Sequence, residues 1–182
     1  MLTIDQQDFY NRWLQKADDI TTVDVSSLID KYVALFINYN FLYNILPIRK
    51  SQETGNKREK IGDRAGATSF TMEFVGAEVI GAYLTKQDLD HQIELLCQAM
   101  PYFNIEIDKG KPQPRRDQQL MKGLQSPDQN LKILTLMKTL YAIRCNIVHG
   151  EKGLNQYQEL LLLPAIKLLR AIVVRVYERL DI

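Results

Sequence analysis

The segment DVSSLIDKYVALFINYNFLYNILP, residues 24–47, constrains the fold more than any other part of the chain. Its apolar residues occupy nearly every side of an ideal α-helix, which is typical of a central helix covered by other helices. Pro47 disfavours α geometry at the residue before it, so the pattern predicts that this helix ends at Leu46. A chain organised around such a helix is predicted to be an all-α bundle.

Polar side chains interrupt this apolar segment at regular intervals. Four-residue spacing places Phe36, Asn40 and Asn44 along one line of the helix, and Tyr39 and Tyr43 along another. The two asparagines can satisfy backbone groups or each other in the core, or they can support a binding site. The two tyrosines fit packing in the core or at a dimer interface, and stacking on a base is the alternative.

The remaining sequence has mostly helical periodicity, with capping and stop signals that separate the helices. A chain of 182 residues with 46% hydrophobic content suffices for one globular domain. We therefore predict a single domain over residues 1–182, an up-and-down helical bundle with two irregular basic loops. The further predicted helices are Asp5–Ile20, one capped by Ser69 that runs to Tyr83, one opened by Thr85 that runs to Met100, one capped by Ser126 that runs toward Asn146, and Asn155–Leu180 with a kink at Pro164.

Two stretches lack this periodicity and collect positive charge. RKSQETGNKREKIGDRAG, residues 49–66, has few apolar residues and more base than acid, so we predict an exposed loop. The region between Pro101 and Pro127 contains FNIEID, which alternates like a short strand, followed by KGKPQPRRDQQ. These loops are either solvated turns or contacts for an RNA backbone, and the candidate RNA-binding residues are Arg49, Lys57, Arg58, Lys109, Lys111, Arg115 and Arg116.

Composition and motifs exclude several functional classes. The formal net charge of +1 excludes a uniformly basic nucleic-acid coat. Cys97 and Cys145 are isolated, which indicates neither a CxxC metal knuckle nor a disulfide framework and favours a reducing cytosol. No glycine-rich phosphate loop, GxSxG or HExxH motif occurs. The amino-terminal MLTIDQQDFYNRW lacks the order of a signal peptide, and polar residues interrupt the longest apolar stretches, so we expect a soluble, cytoplasmic protein without a membrane span.

The motif RCNIVHG, residues 144–150, places a permanent charge where the pattern expects an apolar side chain. A guanidinium cannot lose its proton in a protein, so it requires a carboxylate, a carbonyl cluster, a wet cleft or a subunit interface. Gly150 is suited to a left-handed position after a helix, which would let His149 fold back toward Arg144. On that helix, Arg144 shares a narrow arc with Ile133, Met137, Leu140 and Ile147.

RCNIVHG resembles the Arg-x4-6-His signature of HEPN domains, helical bundles that commonly dimerise with this motif beside the dimer axis. The segment YVALFINYNFLYN is similar to an aromatic and asparagine-rich helix that precedes the motif in some prokaryotic members. Many HEPN proteins are metal-independent endoribonucleases of toxin, defence or RNA-processing systems. The resemblance therefore implies that Arg144 and His149 are catalytic. HEPN domains usually carry a polar residue directly after the arginine, whereas Cys145 stands there and Asn146 follows one place later.

The ribonuclease chemistry that the resemblance implies requires no metal and no cofactor. Arg144 would hold the scissile phosphate and stabilise charge on its oxygens, while His149 would move protons at the 2′-hydroxyl or the leaving oxygen. Acid and base roles usually need two groups, so a homodimer would supply a second His149. The candidate supporting residues are Asn146, Asn40, Asn44 and Tyr43.

Other interpretations of these residues stay open. Arg144 can be a structural arginine paired with a helix carboxylate such as Glu73 or Glu78, and His149 can simply cap its helix. His91, the other histidine, is predicted to lie on the surface. The alternative function is a non-catalytic HEPN-like module that binds a nucleotide, RNA or a protein partner, such as an antitoxin, in a defence or toxin-antitoxin system.

Overall fold

The computed structural model describes residues 1–148 and 156–182, and it confirms an all-α helical bundle. Within these ranges the sheet is limited to one two-stranded hairpin, and no helix is both long enough and apolar enough to cross a bilayer. In chain order the elements are α1 (Ile4–Asp18), α2 (Val25–Thr54), α3 (Asp63–Ala65), a π-helical segment (Gly66–Phe70), α4 (Thr71–Val75), α5 (Ala77–Lys86), α6 (Asp90–Ala99), a 3-10 turn (Met100–Tyr102), β1 (Ile107–Asp108), β2 (Lys111–Pro112), α7 (Pro114–Leu124), α8 (Gln129–Val148), a 3-10 turn (Gln156–Gln158) and α9 (Glu159–Leu180).

Helix α2 is the centre of the bundle and packs against α1, α8 and α9. The prediction that it ends at Leu46 is wrong, because the helix continues through Pro47 to Thr54. A proline inside a helix costs about 3 kcal/mol, but Leu46 and Pro47 are both buried, and their packing outweighs the local preference. Gly55, with φ of 70°, provides the left-handed position that ends the helix.

Two predicted helix starts between α2 and α6 are wrong. Ser69 caps nothing, because it lies inside the π-helical segment of a helical region that already begins at Asp63. Gly76, with φ of 96°, interrupts that region between α4 and α5. Thr85 lies in the last turn of α5, and the next helix begins only at Asp90. The predicted loop of residues 49–66 is therefore irregular only between α2 and α3.

The region between Pro101 and Pro127 is more regular than predicted. The strand-like alternation of FNIEID corresponds to β1, which pairs antiparallel with β2. Lys109 and Gly110 connect the strands with φ angles of 51° and 73°, as a tight hairpin turn requires. Pro114 does not prevent helix α7, because it occupies the first helical position, where no N–H is needed.

The longest helices after the hairpin are α8 and α9. The prediction that Ser126 caps α8 is wrong. Asp128 caps this helix, because its carboxylate accepts hydrogen bonds from the backbone N–H groups of Asn130 and Leu131. Helix α9 agrees with its prediction at the carboxyl end and continues through Pro164. Together with α2, these helices contribute most of the buried apolar residues of the core.

Gly123 allows α7 to approach α8 closely. A Cβ at this position would lie 2.3 Å from Thr135 Oγ1 and 2.9 Å from Thr135 Cβ. We expect Gly123→Ala to lower the free energy of unfolding by about 1–3 kcal/mol, because the overpacked contact outweighs the higher helix propensity of alanine. Urea unfolding followed by circular dichroism measures the change. In the matched control Gly62→Ala, a new Cβ has nothing within 4 Å, and an equal loss of stability there would contradict the prediction.

Candidate functional site

A cleft of about 590 Å³ opens between α1, α2 and α8. Phe36, Asn40 and Asn44, which the four-residue spacing places on one line, contribute to its wall together, and Arg144 enters it from α8. The cleft therefore combines a cation and two amides with a largely apolar surface. The other residues of the wall are Phe9, Val33, Ile37, Phe41, Ile45 and Val148.

Arg144 is neither fully buried nor tightly paired. Its side chain is 25% exposed, and its guanidinium carbon lies 5.5 Å from the Phe36 ring centroid and 5.8 Å from that of Tyr141. Asp63 Oδ2 is 3.9 Å from Nη1, which is too long for a hydrogen bond. Nη1 also makes a 4.0 Å contact with Cys145 Sγ. Among the described residues, the guanidinium thus retains N–H groups that can donate to a ligand.

The carboxylate beside Arg144 is Asp63, not Glu73 or Glu78. Glu73 instead pairs with Lys50 at 3.0 Å. The side chain of Asp63 is 46% exposed, so the pair that it forms with Arg144 is also not a buried ion pair. Glu73 and Glu78 are therefore not the partners in this structure, and the alternative of a structural arginine beside a helix carboxylate stays open with Asp63 of α3.

Asp63 accepts a hydrogen bond at each of its carboxylate oxygens. Tyr43 Oη donates to Oδ1, and Tyr141 Oη donates to Oδ2 at 2.8 Å. Asn40 Nδ2 donates to Tyr43 Oη at 2.8 Å, and Asn44 Nδ2 donates to Asn40 Oδ1 at 2.8 Å. Donation therefore runs in one direction along α2, from Asn44 in the cleft to Asp63.

The pKa values of Tyr43, Tyr141 and Arg144 are all shifted upward, away from neutral pH. Burial, together with the hydrogen bond to Asp63 and its negative charge, raises the pKa of Tyr43 well above its ordinary value. Burial and the hydrogen bond to Asp63 raise the pKa of Tyr141 in the same way. Burial opposes the charge of Arg144, but its contacts with Cys145 and Asp63 raise the pKa of the guanidinium above its ordinary value. Arg144 is therefore a permanent cation, and the two phenols are permanent donors.

The π-helical segment positions Asp63 beside α2. Gly66 leaves room for the ring of Tyr43, since a Cβ there would lie 3.1 Å from Tyr43 Cδ2. Tyr39 Oη donates to the backbone oxygen of Ala67 at 2.6 Å, which ties α2 to the same segment. Because Asp63 begins this helical region, these two contacts also fix its distance from the cleft.

His149 lies outside the described residues, so its proximity to Arg144 stays a prediction. Val148, the residue before it, is the last residue of α8 and lines the same cleft as Arg144. The chain therefore reaches the cleft one residue before His149. His91 is exposed on α6, as predicted, and its Nδ1 lies 3.4 Å from a carboxylate oxygen of Glu94.

Asn146 does not line the cleft of Arg144. Its side-chain amide donates to the backbone oxygens of Asn104 at 3.1 Å and Ile105 at 2.9 Å. It borders a separate cavity of about 260 Å³ together with Ile147. Two residues along a helix correspond to a rotation of about 200°, which explains why Arg144 and Asn146 face different cavities. Asn146 therefore anchors the segment before the hairpin to α8.

The basic residues of the segment after α2 lie near the cleft. A second cavity of about 260 Å³ is bordered by Arg58 and Lys60, and it shares Asn44 with the cleft of Arg144. Lys57 is exposed in the same segment. Arg49 lies within α2 and pairs with Glu53 at 3.2 Å. Two basic side chains, with Glu59 between them in the sequence, thus border the surface that continues from the cleft past Asn44.

The other predicted RNA-binding residues lie on the hairpin and on α7. Lys109 and Lys111 are exposed in the hairpin, and Arg115 and Arg116 are exposed in the first turn of α7. None of these four residues belongs to the described wall of the cleft. They form a second basic region, separate from the one that continues past Asn44.

Asp63, Tyr141 and Lys60 belong to this site but were not identified from the sequence. Tyr141 precedes Arg144 by three residues, so helical spacing was a signal that could have found it. Asp63 and Lys60 occur in a segment interpreted as a loop, far from Arg144 in the chain. No local pattern indicates that Asp63 lies beside Arg144 or that Lys60 lies beside Asn44, because both depend on how the segment after α2 packs against that helix.

We expect Asn146→Ala to lower the free energy of unfolding by about 1–3 kcal/mol, because two backbone oxygens lose their donor. Chemical unfolding of the purified variants measures the change. Asn130→Ala is the matched control, since Asn130 is an exposed asparagine on the same helix. Unchanged stability of Asn146→Ala would contradict an anchoring role for this side chain.

No protein-family model matches the chain, and comparisons with curated proteins and with solved structures find no match either. The resemblance to HEPN domains accordingly rests on the two segments RCNIVHG and YVALFINYNFLYN. Membership of that family stays a prediction.

Proposed function

We propose that the protein is a metal-independent endoribonuclease of HEPN type, in which Arg144 and His149 act at a cleft shared by two protomers. The observation that carries this proposal is the state of Arg144. It is a partly exposed cation in a cleft, without a hydrogen bond to an oxygen acceptor in residues 1–148 and 156–182. A guanidinium in this state can offer a pair of N–H donors to a phosphate.

The proposed reaction is a transesterification within the RNA. The ribose 2′-oxygen attacks the phosphorus, and the bond between phosphorus and the 5′-oxygen breaks. One imidazole accepts the proton of the 2′-hydroxyl, and a second imidazole donates a proton to the leaving 5′-oxygen. Arg144 binds the non-bridging oxygens and stabilises the charge that builds on them. The products are a 2′,3′-cyclic phosphate and a 5′-hydroxyl.

The second imidazole is His149 of another protomer, because His91 lies on α6 and outside the described cleft wall. A two-fold dimer brings the same surface of each protomer together. The apolar wall of the cleft supports this arrangement, because a second protomer would cover apolar side chains there. Phe9 and Phe41, whose ring centroids lie 4.3 Å apart, both line the cleft. We infer a cytoplasmic location, and the unpaired thiols of Cys97 and Cys145 support it.

We expect the wild-type protein to cleave single-stranded RNA in the presence of EDTA and to leave a cyclic phosphate. His149→Ala and Arg144→Met should each lower the cleavage rate at least about 100-fold, because one loses the proton carrier and the other the charge stabilisation. Gel analysis of end-labelled RNA measures the rates.

Two matched variants distinguish these effects from a loss of activity that removing any histidine or arginine would cause. His91→Ala removes the exposed histidine of α6, and Arg170→Met removes an arginine of α9 that pairs with Asp18 at 2.8 Å. Both should cleave at close to the wild-type rate. Cleavage that persists in His149→Ala would overturn the enzymatic role. RNA or protein binding without cleavage would favour the non-catalytic HEPN-like module.

We expect the basic surface next to Asn44 to bind the RNA backbone. The double substitution of Arg58 and Lys60 by alanine should weaken RNA binding and reduce the slope of log affinity against log salt by about 1.4, because two phosphate contacts are lost. Filter binding at several salt concentrations measures this slope. Substitution of Lys109 and Lys111 by alanine is the matched control, and an equal or larger effect there would place the RNA on the hairpin instead.

A further inference from the structure

We propose that Tyr43 and Tyr141 are positioning residues that hold the Asp63 carboxylate back from the Arg144 guanidinium, so that a phosphate group can bind the guanidinium in place of Asp63. The inference deepens the proposed function and rests on it for the identity of the ligand, a phosphodiester. It concerns the binding of an oxyanion at Arg144 and assigns no proton transfer to Asp63.

The distance between Arg144 and Asp63 is the first support. A guanidinium and a carboxylate in direct contact lie about 2.7–2.9 Å apart, whereas Nη1 and Oδ2 are 3.9 Å apart here. Both side chains reach solvent, so water also screens their attraction. Asp63 therefore lies close enough to compete with an anion for Arg144 but does not occupy its N–H groups.

The two phenols explain why the carboxylate does not close on Arg144. Each oxygen of Asp63 accepts one phenolic hydrogen bond. Asn40 donates to Tyr43 Oη, so the hydroxyl hydrogen of Tyr43 is directed toward Asp63. A shift of Asp63 toward Arg144 would break or stretch these bonds, each of which is made to a charged acceptor.

The rings around Arg144 hold the guanidinium from another side. Its carbon lies within 6 Å of the ring centroids of both Phe36 and Tyr141, which is the range of a cation–π contact. Tyr141 therefore has two roles, because its ring supports Arg144 while its hydroxyl binds Asp63. The rings support the guanidinium, and among residues 1–148 and 156–182 no oxygen acceptor takes its N–H donors.

This arrangement predicts opposite effects from two kinds of substitution in the same cluster. Asp63→Asn removes the negative charge that competes with a phosphate, so phosphate binding should become stronger. Tyr141→Phe or Tyr43→Phe frees one carboxylate oxygen to approach Arg144, so phosphate binding should become weaker. A purely structural cluster would change binding in the same direction in all three variants, because each variant loses a hydrogen bond of Asp63.

The test measures the affinity of each variant for a fluorescein-labelled single-stranded oligodeoxynucleotide by fluorescence anisotropy. This probe lacks the 2′-hydroxyl, so the proposed reaction cannot cleave it. We expect binding about two- to fivefold tighter for Asp63→Asn and weaker by a similar factor for Tyr141→Phe, the range of a partly screened charge. Arg144→Met in each background should remove the difference. Tyr141→Phe is the principal phenol variant, because Tyr141 is only half-buried and its loss disturbs the core less than that of Tyr43. Thermal unfolding confirms that each variant is folded.

Three results would each overturn the inference. The affinities of Asp63→Asn and Tyr141→Phe could shift in the same direction, or the shifts could persist in the Arg144→Met background. The third is that the wild-type protein does not bind the probe. RNA cleavage distinguishes it from the proposed function. If cleavage depends on His149 but the affinities do not shift in opposite directions, only the inference fails. If the opposite shifts occur and no variant or wild-type protein cleaves RNA, the oxyanion site stands and the ribonuclease proposal fails.

Discussion

The burial of α2 is the constraint on which the rest of the bundle depends, because buried polar groups need hydrogen-bond partners and several side chains of this helix find theirs on other elements. Asn38, Tyr32 and Tyr39 are buried, and each donates to a backbone oxygen outside α2. The acceptors belong to three different parts of the chain, namely Tyr10, Leu140 and Ala67. Apolar packing alone would allow α2 to slide or rotate against its neighbours, whereas these directional bonds select one register.

The candidate site continues this pattern at the edge of the core. Asn40 and Tyr43 follow the buried donors along α2, and they direct their hydrogen bonds toward Asp63 rather than toward a backbone oxygen. Because Asp63 is partly exposed, the last acceptor of the series carries a charge that reaches the cleft. The same helix therefore determines the core and the electrostatic environment of Arg144.

Sequence patterns predicted the parts of this structure that depend on local periodicity. The all-α class, α1, the carboxyl-terminal part of α9 and the line of Phe36, Asn40 and Asn44 follow from spacing alone. The predicted end of α2 before Pro47 is wrong, because tertiary burial outweighed a local preference. Helix α7 was not predicted, because Pro114 occupies the first turn, where proline is tolerated. The proximity of Asp63 to Arg144 arises from the docking of a π-helical segment, which has no periodic signature in one sequence.

The energetics of the pair at Arg144 explain how the part of the chain that the structure describes can hold a cation 3.9 Å from the carboxylate beside it. An exposed pair contributes only about 0–1 kcal/mol when it closes, so holding Asp63 at a distance costs the fold little. The two phenolic hydrogen bonds to the carboxylate compensate for that cost, since bonds to charged acceptors are stronger than neutral ones. Stability is thus supplied by groups other than the guanidinium, which is compatible with the proposal that the donors of Arg144 bind a phosphate.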